Sequence, residues 1–256
     1  LLEAHNLSLP QTWEEVLELA KGGAVTACLF PVDVLMNLYM FCKALGYPCF
    51  ATEEELAPKD ILAEALGELK KLGDLCAAAC LERNPIRTAE FMSRSTDKAA
   101  AYCPFAYGYS NYSRPRYAEY PLKAGGLVSA NGKQLCSTLG GAGIAVSART
   151  RHPEVATDYA GFTASPETQK GLYFEAGGQP GHRTAWTDPG VNTASNDFFK
   201  DTLVTLDQAI LRPRYPGYMH FQDTATPIAH AAVAGKLSIP DACDQLNRIY
   251  LTFLKA

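Results

Sequence analysis

A buried segment that runs directly into a helix is the feature that most constrains this sequence. Residues 24–30, Ala-Val-Thr-Ala-Cys-Leu-Phe, contain no charge and predict a buried strand. Pro31 then begins a helix that Gly46 closes, and its apolar side holds Val34, Leu35, Leu38 and Phe41. Because strand followed by helix is the repeating unit of an α/β layer, we predict an α/β fold.

Composition excludes several classes of function. The chain has 256 residues, 47% of them hydrophobic, which is enough for one large or two modest domains. Its net charge of -4 and pI near 5.8 give no electrostatic support for a nucleic-acid partner. No apolar run is as long as a membrane span, so we expect a soluble protein without membrane insertion. The start at Leu1, without Met or a signal segment, predicts a processed or truncated product.

The eight cysteines show no CxxC motif and no zinc-ligand spacing. We interpret them as small buried hydrophobic residues, with Cys42 and Cys49 as the pair that best fits a disulfide. Cys76 and Cys80 lie four apart in an alanine-rich stretch that we predict to be helical, and there they need no further role. The sequence predicts no cofactor and no metal, and it does not fix the redox compartment.

Residues 99–120 contain seven aromatic rings and no charge between Tyr102 and Ser113. Residues 98–103 predict a short buried strand that Pro104 ends, with a helical turn to follow. Phe105, Tyr107 and Tyr109 would then cluster at the carboxyl end of this strand, where open α/β sheets bind ligands. Such rings stack on sugars, although ordinary core aromatic residues have the same composition.

Helix signals recur along the rest of the chain. Thr12 and Glu15 form a predicted capping box, residues 58–83 are predicted to be helical, and further helices are predicted at 195–210, 224–234 and from Ser238 onward. Strand-like pieces are predicted at 127–130 and 144–147. The changes in composition near residues 120 and 191 indicate two lobes.

Three segments carry a resemblance to a known family. Residues 165–189 contain a Ser-Pro-Glu helix start, then Gly-Gly-Gln-Pro, a basic residue and Asp-Pro. With Leu-Pro-Gln-Thr-Trp-Glu-Glu at 9–15 and the aromatic element at 98–110, these motifs resemble family 1 extracellular solute-binding proteins, in the order that the family has. These are the substrate-binding proteins of carbohydrate ABC importers, similar to the maltose-binding type.

The resemblance implies a type II periplasmic-binding-protein fold with two α/β lobes and an interlobe cleft. Residues 1–120 would form the main part of the second lobe, 121–190 the returning part of the first lobe, and 191–256 the closing helices of the second. The opening part of the first lobe has no counterpart here, so we expect an incomplete first lobe.

Several ligand contacts follow from the resemblance, residue by residue. Phe105 stands at the family's ring-stacking position, with Tyr107 on the same turn. Gly141 falls in the glycine loop that faces the cleft, although a plain turn also explains it. Arg183 occupies the basic position after Gly-Gly-Gln-Pro; it would bind hydroxyls or a carboxylate, or pair with Asp188.

Further candidates are polar. Gln222 lies near the family's second aromatic platform, where an amide favours hydrogen bonding and argues against a maltodextrin ligand. Asp33 is a possible hydroxyl acceptor, or simply an acid in the first turn of a helix. His220 is the last candidate, and with Tyr109 it completes the predicted ligand-binding set.

The resemblance implies a periplasmic or extracellular protein, expected to be a monomer, that captures a sugar-like solute and delivers it to an ABC transporter permease. One alternative is a cleft enzyme such as a glycosidase, in which His182, His220, Asp188 and Asp223 supply acid/base groups and Asp33 and Asp188 form the only possible carboxylate pair. A non-transport binding module is another. Since the sequence lacks GxSxG, HExxH and P-loop motifs, we predict no enzyme activity.

Overall fold

The computed structural model describes residues 1–254, and it is rich in helix. Over this range the α-helices are α1 Trp13–Lys21, α2 Pro31–Ala44, α3 Lys59–Leu75, α4 Pro85–Arg94, α5 Pro153–Ala164, α6 Pro166–Lys170, α7 Leu172–Glu175, α8 Arg183–Trp186, α9 Pro189–Ala194, α10 Phe198–Asp207, α11 Tyr218–Val233 and α12 Ile239–Leu254. Two short strands, β1 Ser129–Ala130 and β2 Lys133–Gln134, pair antiparallel. Single 3-10 turns lie at Glu3–His5, Ala78–Leu81, Lys98–Ala100 and Ser110–Ser113.

The chain divides into two compact units. Unit 1 comprises Leu1–Tyr107, Leu127–Leu139 and Thr205–Ala256, of which the structure describes the part up to residue 254. Unit 2 comprises Gly108–Gly126 and Gly140–Val204. These bounds differ from the predicted ones near 120 and 190, so the assignment of 1–120, 121–190 and 191–256 to family lobes stays a prediction.

The core of unit 1 is a layer of four helices. α11 packs against α2, α3 and α12, and α2 also packs against α3. α2 is apolar on nearly every side, and Leu35, Leu38 and Tyr39 are almost completely inaccessible to solvent. A helix that is hydrophobic all round belongs in an interior. The predicted helix from Pro31 is confirmed, and it becomes the central element of the unit.

Phe50 forms the centre of an aromatic cluster in this core. Its ring contacts Tyr39, Tyr218, Phe221 and Tyr250 edge-on, at centroid distances of 5.1, 5.8, 5.7 and 5.7 Å. Its backbone is left-handed, with φ 67°, a conformation that costs a bulky residue free energy. The four ring contacts offset that cost, so side-chain packing holds the backbone in this turn.

The predicted strands are much shorter than expected. Residues 24–29 are buried. Of these six residues only Val25 forms a β-bridge to another described residue, and that bridge is parallel, to Tyr102. Leu29 N–H instead donates to the Cys80 carbonyl (3.1 Å), because a 3-10 turn lies where a neighbouring strand would be. Residues 98–100 form a 3-10 turn, and the helical turn predicted after Pro104 is absent, as is the strand predicted at 144–147.

The helix start that carries a capping box is predicted correctly, whereas helix bounds without such a motif are predicted less accurately. The Thr12 and Glu15 capping box is confirmed, with the Thr12 side chain accepting from Glu15 N–H at 3.3 Å. The helix predicted at 58–83 ends at Leu75, since Cys76 is extended. α11 begins at Tyr218, six residues before the predicted start at Thr224.

Unit 2 consists of short helices around an aromatic core. Phe199 contacts Phe174, Trp186 and Phe198 at centroid distances of 6.1, 5.0 and 5.2 Å. Gly108 lies against the Phe198 ring so closely that a Cβ there would be 2.6 Å from its Cζ. The aromatic segment therefore needs a glycine at this position to pack on the helices.

Candidate functional site

A small polar pocket in unit 1 collects several of the predicted site residues. Its wall is formed by α2, by the aromatic segment, residues 99–120, and by residues 137–138. Cys28, from the buried segment before α2, completes it. Its lining consists of Cys28, Asp33, Met36, Asn37, Met40, Phe105, Ala106, Tyr107, Ser137 and Thr138. Asp33, Phe105 and Tyr107, which were chosen from separate parts of the sequence, thus lie around one pocket.

Asp33 is a buried carboxylate with a single weak donor. It lies in the first turn of α2, is 5% exposed, and accepts a hydrogen bond from the Cys28 thiol at 3.3 Å. No Lys, Arg or His in residues 1–254 forms an ion pair with it. Burial raises the pKa of Asp33 to about 6, which the Cys28 hydrogen bond partly opposes. Such a group has spare acceptor capacity that faces the pocket.

Phe105 lies in the pocket wall with little free surface. Its ring is 5% exposed and stacks on the Trp13 indole at 6.0 Å and 16°. Trp13 is itself fixed by Phe41, edge-on at 4.7 Å, and by a 2.8 Å hydrogen bond from its indole N–H to Glu68. One face of Phe105 is therefore occupied by protein, and its predicted stacking on a ligand stays a prediction.

Tyr107 and Thr138 supply hydroxyl groups to the pocket. Burial raises the pKa of Tyr107 to about 12, with the Arg212 guanidinium and the Thr138 hydroxyl opposing the rise and the Asp33 charge adding to it. The buried Thr138 Oγ1 lies near the Tyr107 hydroxyl but makes no hydrogen bond of good geometry within residues 1–254. Since a buried hydroxyl without a partner costs free energy, Thr138 is the kind of group that a ligand would satisfy.

Arg212, which is distant in the sequence, lies close enough to Tyr107 to affect its pKa. Ile210 N–H donates to the Ser137 carbonyl at 2.8 Å, and a parallel bridge joins Ile210 to Thr138. This pairing holds the following segment so that Arg212 Nη1 donates to Gln222 Oε1 at 3.1 Å.

Gln222 is 8% exposed and also accepts from the Tyr218 hydroxyl at 3.4 Å. Its two partners fix the amide, which becomes a buried support for the guanidinium of Arg212. The predicted contact between Gln222 and a ligand is not tested by this arrangement and stays a prediction.

The pocket offers a carboxylate acceptor, two hydroxyls and a nearby guanidinium. Polyols and sugars, whose hydroxyls both donate and accept, match this mixture. The enclosed volume is about 10 Å³, room for one water or one hydroxyl group. The pocket is therefore suited to anchoring a single group of a solute.

The other predicted site residues do not line this pocket. Tyr109 is 45% exposed and belongs to unit 2, as do the exposed Gly141 and Arg183, the latter being the first residue of α8. His220 belongs to unit 1, where it is exposed and its ring stacks on Phe253 at 6.0 Å. The expected clustering of Tyr109 with Phe105 and Tyr107 stays a prediction.

The Gly-Gly-Gln-Pro motif has a structural role within unit 2. Gln179 accepts from Ser110 N–H at 2.9 Å and donates to the Gly108 carbonyl at 3.2 Å. Arg114 donates to the carbonyls of Phe174 (2.7 Å) and Gly178 (2.9 Å), and it stacks on the Phe174 ring. The motif and the aromatic segment thus form one hydrogen-bonded assembly, although about 70 residues separate them.

Two of the proposed acid/base residues already act as helix caps. His182 Nδ1 accepts from Thr184 N–H at 3.3 Å at the start of α8, and Asp188 Oδ1 accepts from Val191 N–H at 3.0 Å at the start of α9. Capping explains both positions without catalysis. In residues 1–254 no group of three or more His, Cys, Asp or Glu side chains is arranged to hold a metal ion. In the same range no helix is both long and apolar enough to cross a membrane.

Two residues of this neighbourhood, Thr138 and Arg212, were not predicted as site residues. Thr138 lies in a segment of ordinary composition, and nothing in the sequence distinguishes it. Arg212 stands in Arg-Pro-Arg-Tyr-Pro, where a cation beside an aromatic residue was the available signal. Both depend on the Thr138–Ile210 bridge, which sequence patterns do not reveal.

No protein-family model matches the sequence. Solved structures do match, and they show that the chain has the type II periplasmic-binding-protein fold, the two-lobe fold of sugar-binding ABC transporter solute-binding proteins. The fold class expected from the sequence is thereby confirmed.

Three of these structures illustrate the likeness. Maltose-bound MalE3 of T. maritima aligns with a TM-score of 0.80 at 20% identity, over 99% of this chain and 68% of that one. A solute-binding protein of Agrobacterium radiobacter K84 in complex with ribitol gives 0.77 at 19%, over 96% and 65%. One of Thermotoga lettingae bound with α-D-tagatose gives 0.78 at 17%, over 99% and 68%. The chain thus spans about two thirds of the length of these proteins.

Proposed function

We propose that this protein is an extracytoplasmic solute-binding protein that captures a sugar or a similar polyhydroxylated solute and delivers it unchanged to an ABC importer. The observation that carries the proposal is the pocket of unit 1, which is lined by the buried Asp33 carboxylate, with no ion pair in residues 1–254, and by the buried Thr138 hydroxyl. Solved structures with the same fold hold maltose, ribitol and α-D-tagatose, and all three ligands are rich in hydroxyl groups.

In this mechanism one hydroxyl of the solute enters the pocket. It donates to Asp33 and exchanges hydrogen bonds with Thr138 and Tyr107, while Arg212 donates to an oxygen nearby. Each neutral hydrogen bond contributes about 0.5–1.5 kcal/mol and one to a charged group about 1.5–3 kcal/mol. These contacts anchor the solute in unit 1.

Ligand titration tests the proposal directly. Maltose, ribitol and tagatose, with a broad set of mono- and oligosaccharides, are titrated into the protein by calorimetry and thermal unfolding. At one hundred times its Kd a ligand stabilises the fold by about 2.7 kcal/mol, which raises Tm by roughly 5–10 °C for a chain of this size. If no polyol or sugar in the set shifts Tm, sugar capture is refuted for this chain.

Two variants then test the pocket. Thr138→Val and Tyr107→Phe each remove a hydroxyl at nearly constant volume, and each should weaken binding about 2- to 13-fold. Tyr117→Phe, at a tyrosine that is 57% exposed, is the matched control and should bind as the wild type does. Equal affinities for all four proteins would place the ligand elsewhere.

Delivery rather than turnover is tested by recovering the solute. After prolonged incubation with the protein, chromatography of the released sugar should show a single unchanged species. Appearance of hydrolysis products would favour the glycosidase alternative over transport.

A further inference from the structure

Cys76 and Cys80 form a pair of thiols in unit 1 that the candidate binding site does not use. Cys76 follows the last residue of α3, and Cys80 lies in the 3-10 turn Ala78–Leu81. The prediction of one continuous helix through both cysteines is wrong, because the backbone is extended at Cys76 and at Ala77 before it turns. This turn places both sulfurs against the same stretch of backbone, Cys76 at the Val25 carbonyl and Cys80 at the Ala27 N–H.

The Cys80 sulfur lies among hydrogen-bond donors. It is 1% exposed and accepts from Ala27 N–H at 3.4 Å, while the Thr26 hydroxyl lies 3.6 Å from it. Arg83 Nη1 donates to the same Thr26 hydroxyl at 3.2 Å, which places a positive charge next to this group. A backbone amide, a hydroxyl and a nearby cation are what a thiolate requires.

Cys76 completes this environment. Its thiol donates to the Val25 carbonyl at 3.7 Å, two residues from the Ala27 N–H that donates to the Cys80 sulfur. The neighbouring Cys76 lowers the pKa of Cys80 to about 5 against the effect of burial, and Ala27 N–H, Thr26 and Arg83 act in the same direction as Cys76. Cys80 and burial raise the pKa of Cys76. Cys80 is therefore the more acidic thiol of the pair. Cys76 is only partly buried, and residues 77–79 beside it are exposed, so reagents reach it from solvent.

We propose that Cys76 and Cys80 are a redox-active dithiol, which a low-molecular-weight disulfide of the glutathione type converts to an intramolecular disulfide. In the first step the Cys76 sulfur attacks the reagent, its proton passes to the Cys80 sulfur, and one reagent thiol leaves after taking a proton from solvent. In the second step Cys80 loses its proton to solvent and attacks the Cys76 sulfur, and the second reagent sulfur leaves as a thiolate that takes a proton from solvent. Two protein thiols are oxidised and one reagent disulfide is reduced to two thiols.

The other cysteines lack this combination. Burial, with the charge and hydrogen bond of Asp33, raises the pKa of Cys28, and the Cys49 hydrogen bond together with burial raises that of Cys42. Cys103 is near both Cys28 and Cys80, and burial raises its pKa to about 12. Selectivity for the Cys76–Cys80 pair over the Cys42–Cys49 pair is therefore part of the proposal.

A tryptic map tests it on the intact protein. Cleavage after Lys71 and Arg83 gives one peptide, residues 72–83, that contains both cysteines and no other. The folded protein is equilibrated with oxidised glutathione, quenched with acid, alkylated in denaturant and digested. We expect peptide 72–83 to have lost two hydrogens and to carry neither alkyl group nor glutathione.

Variants resolve the two steps. Cys80→Ser removes the proton acceptor of the first step and the nucleophile of the second, so it should give glutathione on Cys76 more slowly and no disulfide, whereas the control Cys136→Ser should form the disulfide as the wild type does. Full alkylation of both cysteines in the wild type would overturn the proposal. So would a persistent glutathione adduct in the wild type, or a cross-link from either cysteine to Cys103 or to any other cysteine.

Discussion

Replacing Asp33 with asparagine should make the protein more stable at neutral pH. The asparagine amide would keep an oxygen that accepts from the Cys28 thiol, and the substitution would remove a charge that no cation in the described chain compensates. Because the pKa of Asp33 is raised in the folded state, from 3.8 to about 6, the folded protein favours the protonated acid. Its contribution to stability is complete below pH 3.8 and is lost as the pH rises through 6.

The size of the effect follows from the shift in pKa. A change from 3.8 to about 6 corresponds to about 2–3 kcal/mol of unfolding free energy at about 1.36 kcal/mol per pKa unit. Wild type and D33N should therefore have similar stability near pH 4, and D33N should exceed the wild type by about 2–3 kcal/mol at about pH 7.5.

Urea unfolding of both proteins between about pH 4 and pH 8 measures this difference, and comparison of the two cancels the other titrating groups. Asp60→Asn is the matched control, since Asp60 is an exposed acid in the first turn of α3, and its effect should stay within about 1 kcal/mol. A difference between D33N and the wild type that does not depend on pH would refute the reasoning, as would lower stability of D33N at neutral pH.

The same substitution should weaken ligand binding. If Asp33 accepts a hydroxyl of the solute, the loss of its charge costs about 1–2 kcal/mol of affinity. Higher stability together with lower affinity is the pattern expected when a buried charge is kept for function. Unchanged affinity would remove Asp33 from the binding site.

Substitutions at Phe50, Gly108 and Arg114 test packing by urea unfolding. Phe50→Ala should lower the free energy of unfolding by about 3–5 kcal/mol. Phe50→Gly should be about 1 kcal/mol more stable than Phe50→Ala, because glycine adopts a φ of 67° without strain. If Phe50→Gly were the less stable of the two, a left-handed backbone at residue 50 would be contradicted. Gly108→Ala should lose about 1–3 kcal/mol through its clash with Phe198, whereas Gly126→Ala, with open space around it, should lose little. Arg114→Lys should lower the free energy of unfolding by about 1–3 kcal/mol, because lysine lacks the forked guanidinium that donates to two carbonyls. A variant as stable as the wild type would show that these two hydrogen bonds do not stabilise unit 2.

Local signals predicted the helices well and the sheet poorly. Thr12 and Ser165 each cap a helix as predicted, because a cap depends on residues within one turn. The strand predicted at 24–30 is a single bridge from Val25, because a strand exists only if a distant segment pairs with it. The resemblance to a family, which combines many such distant pairings, supplied the fold class that the local pattern left open.

The pocket shows the same division between local and distant information. Asp33 and Tyr107 could be chosen from the sequence, one as an acid that begins a helix after a buried segment and the other as a polar aromatic residue. Thr138 and Arg212 could not, because they are 74 residues apart in the sequence and only the bridge from Thr138 to Ile210 brings their segments together.

The stacking of Trp13 on Phe105 links the first helix of the chain to the wall of the pocket. Trp13 is buried and does not line the pocket, yet it packs against the ring of Phe105, which does. The position of the Phe105 ring in the pocket wall therefore depends on Trp13. Substitution of Trp13 would be expected to change ligand affinity by moving the Phe105 ring. Engineering of ligand preference could therefore include buried residues such as Trp13 as well as the residues that face the ligand.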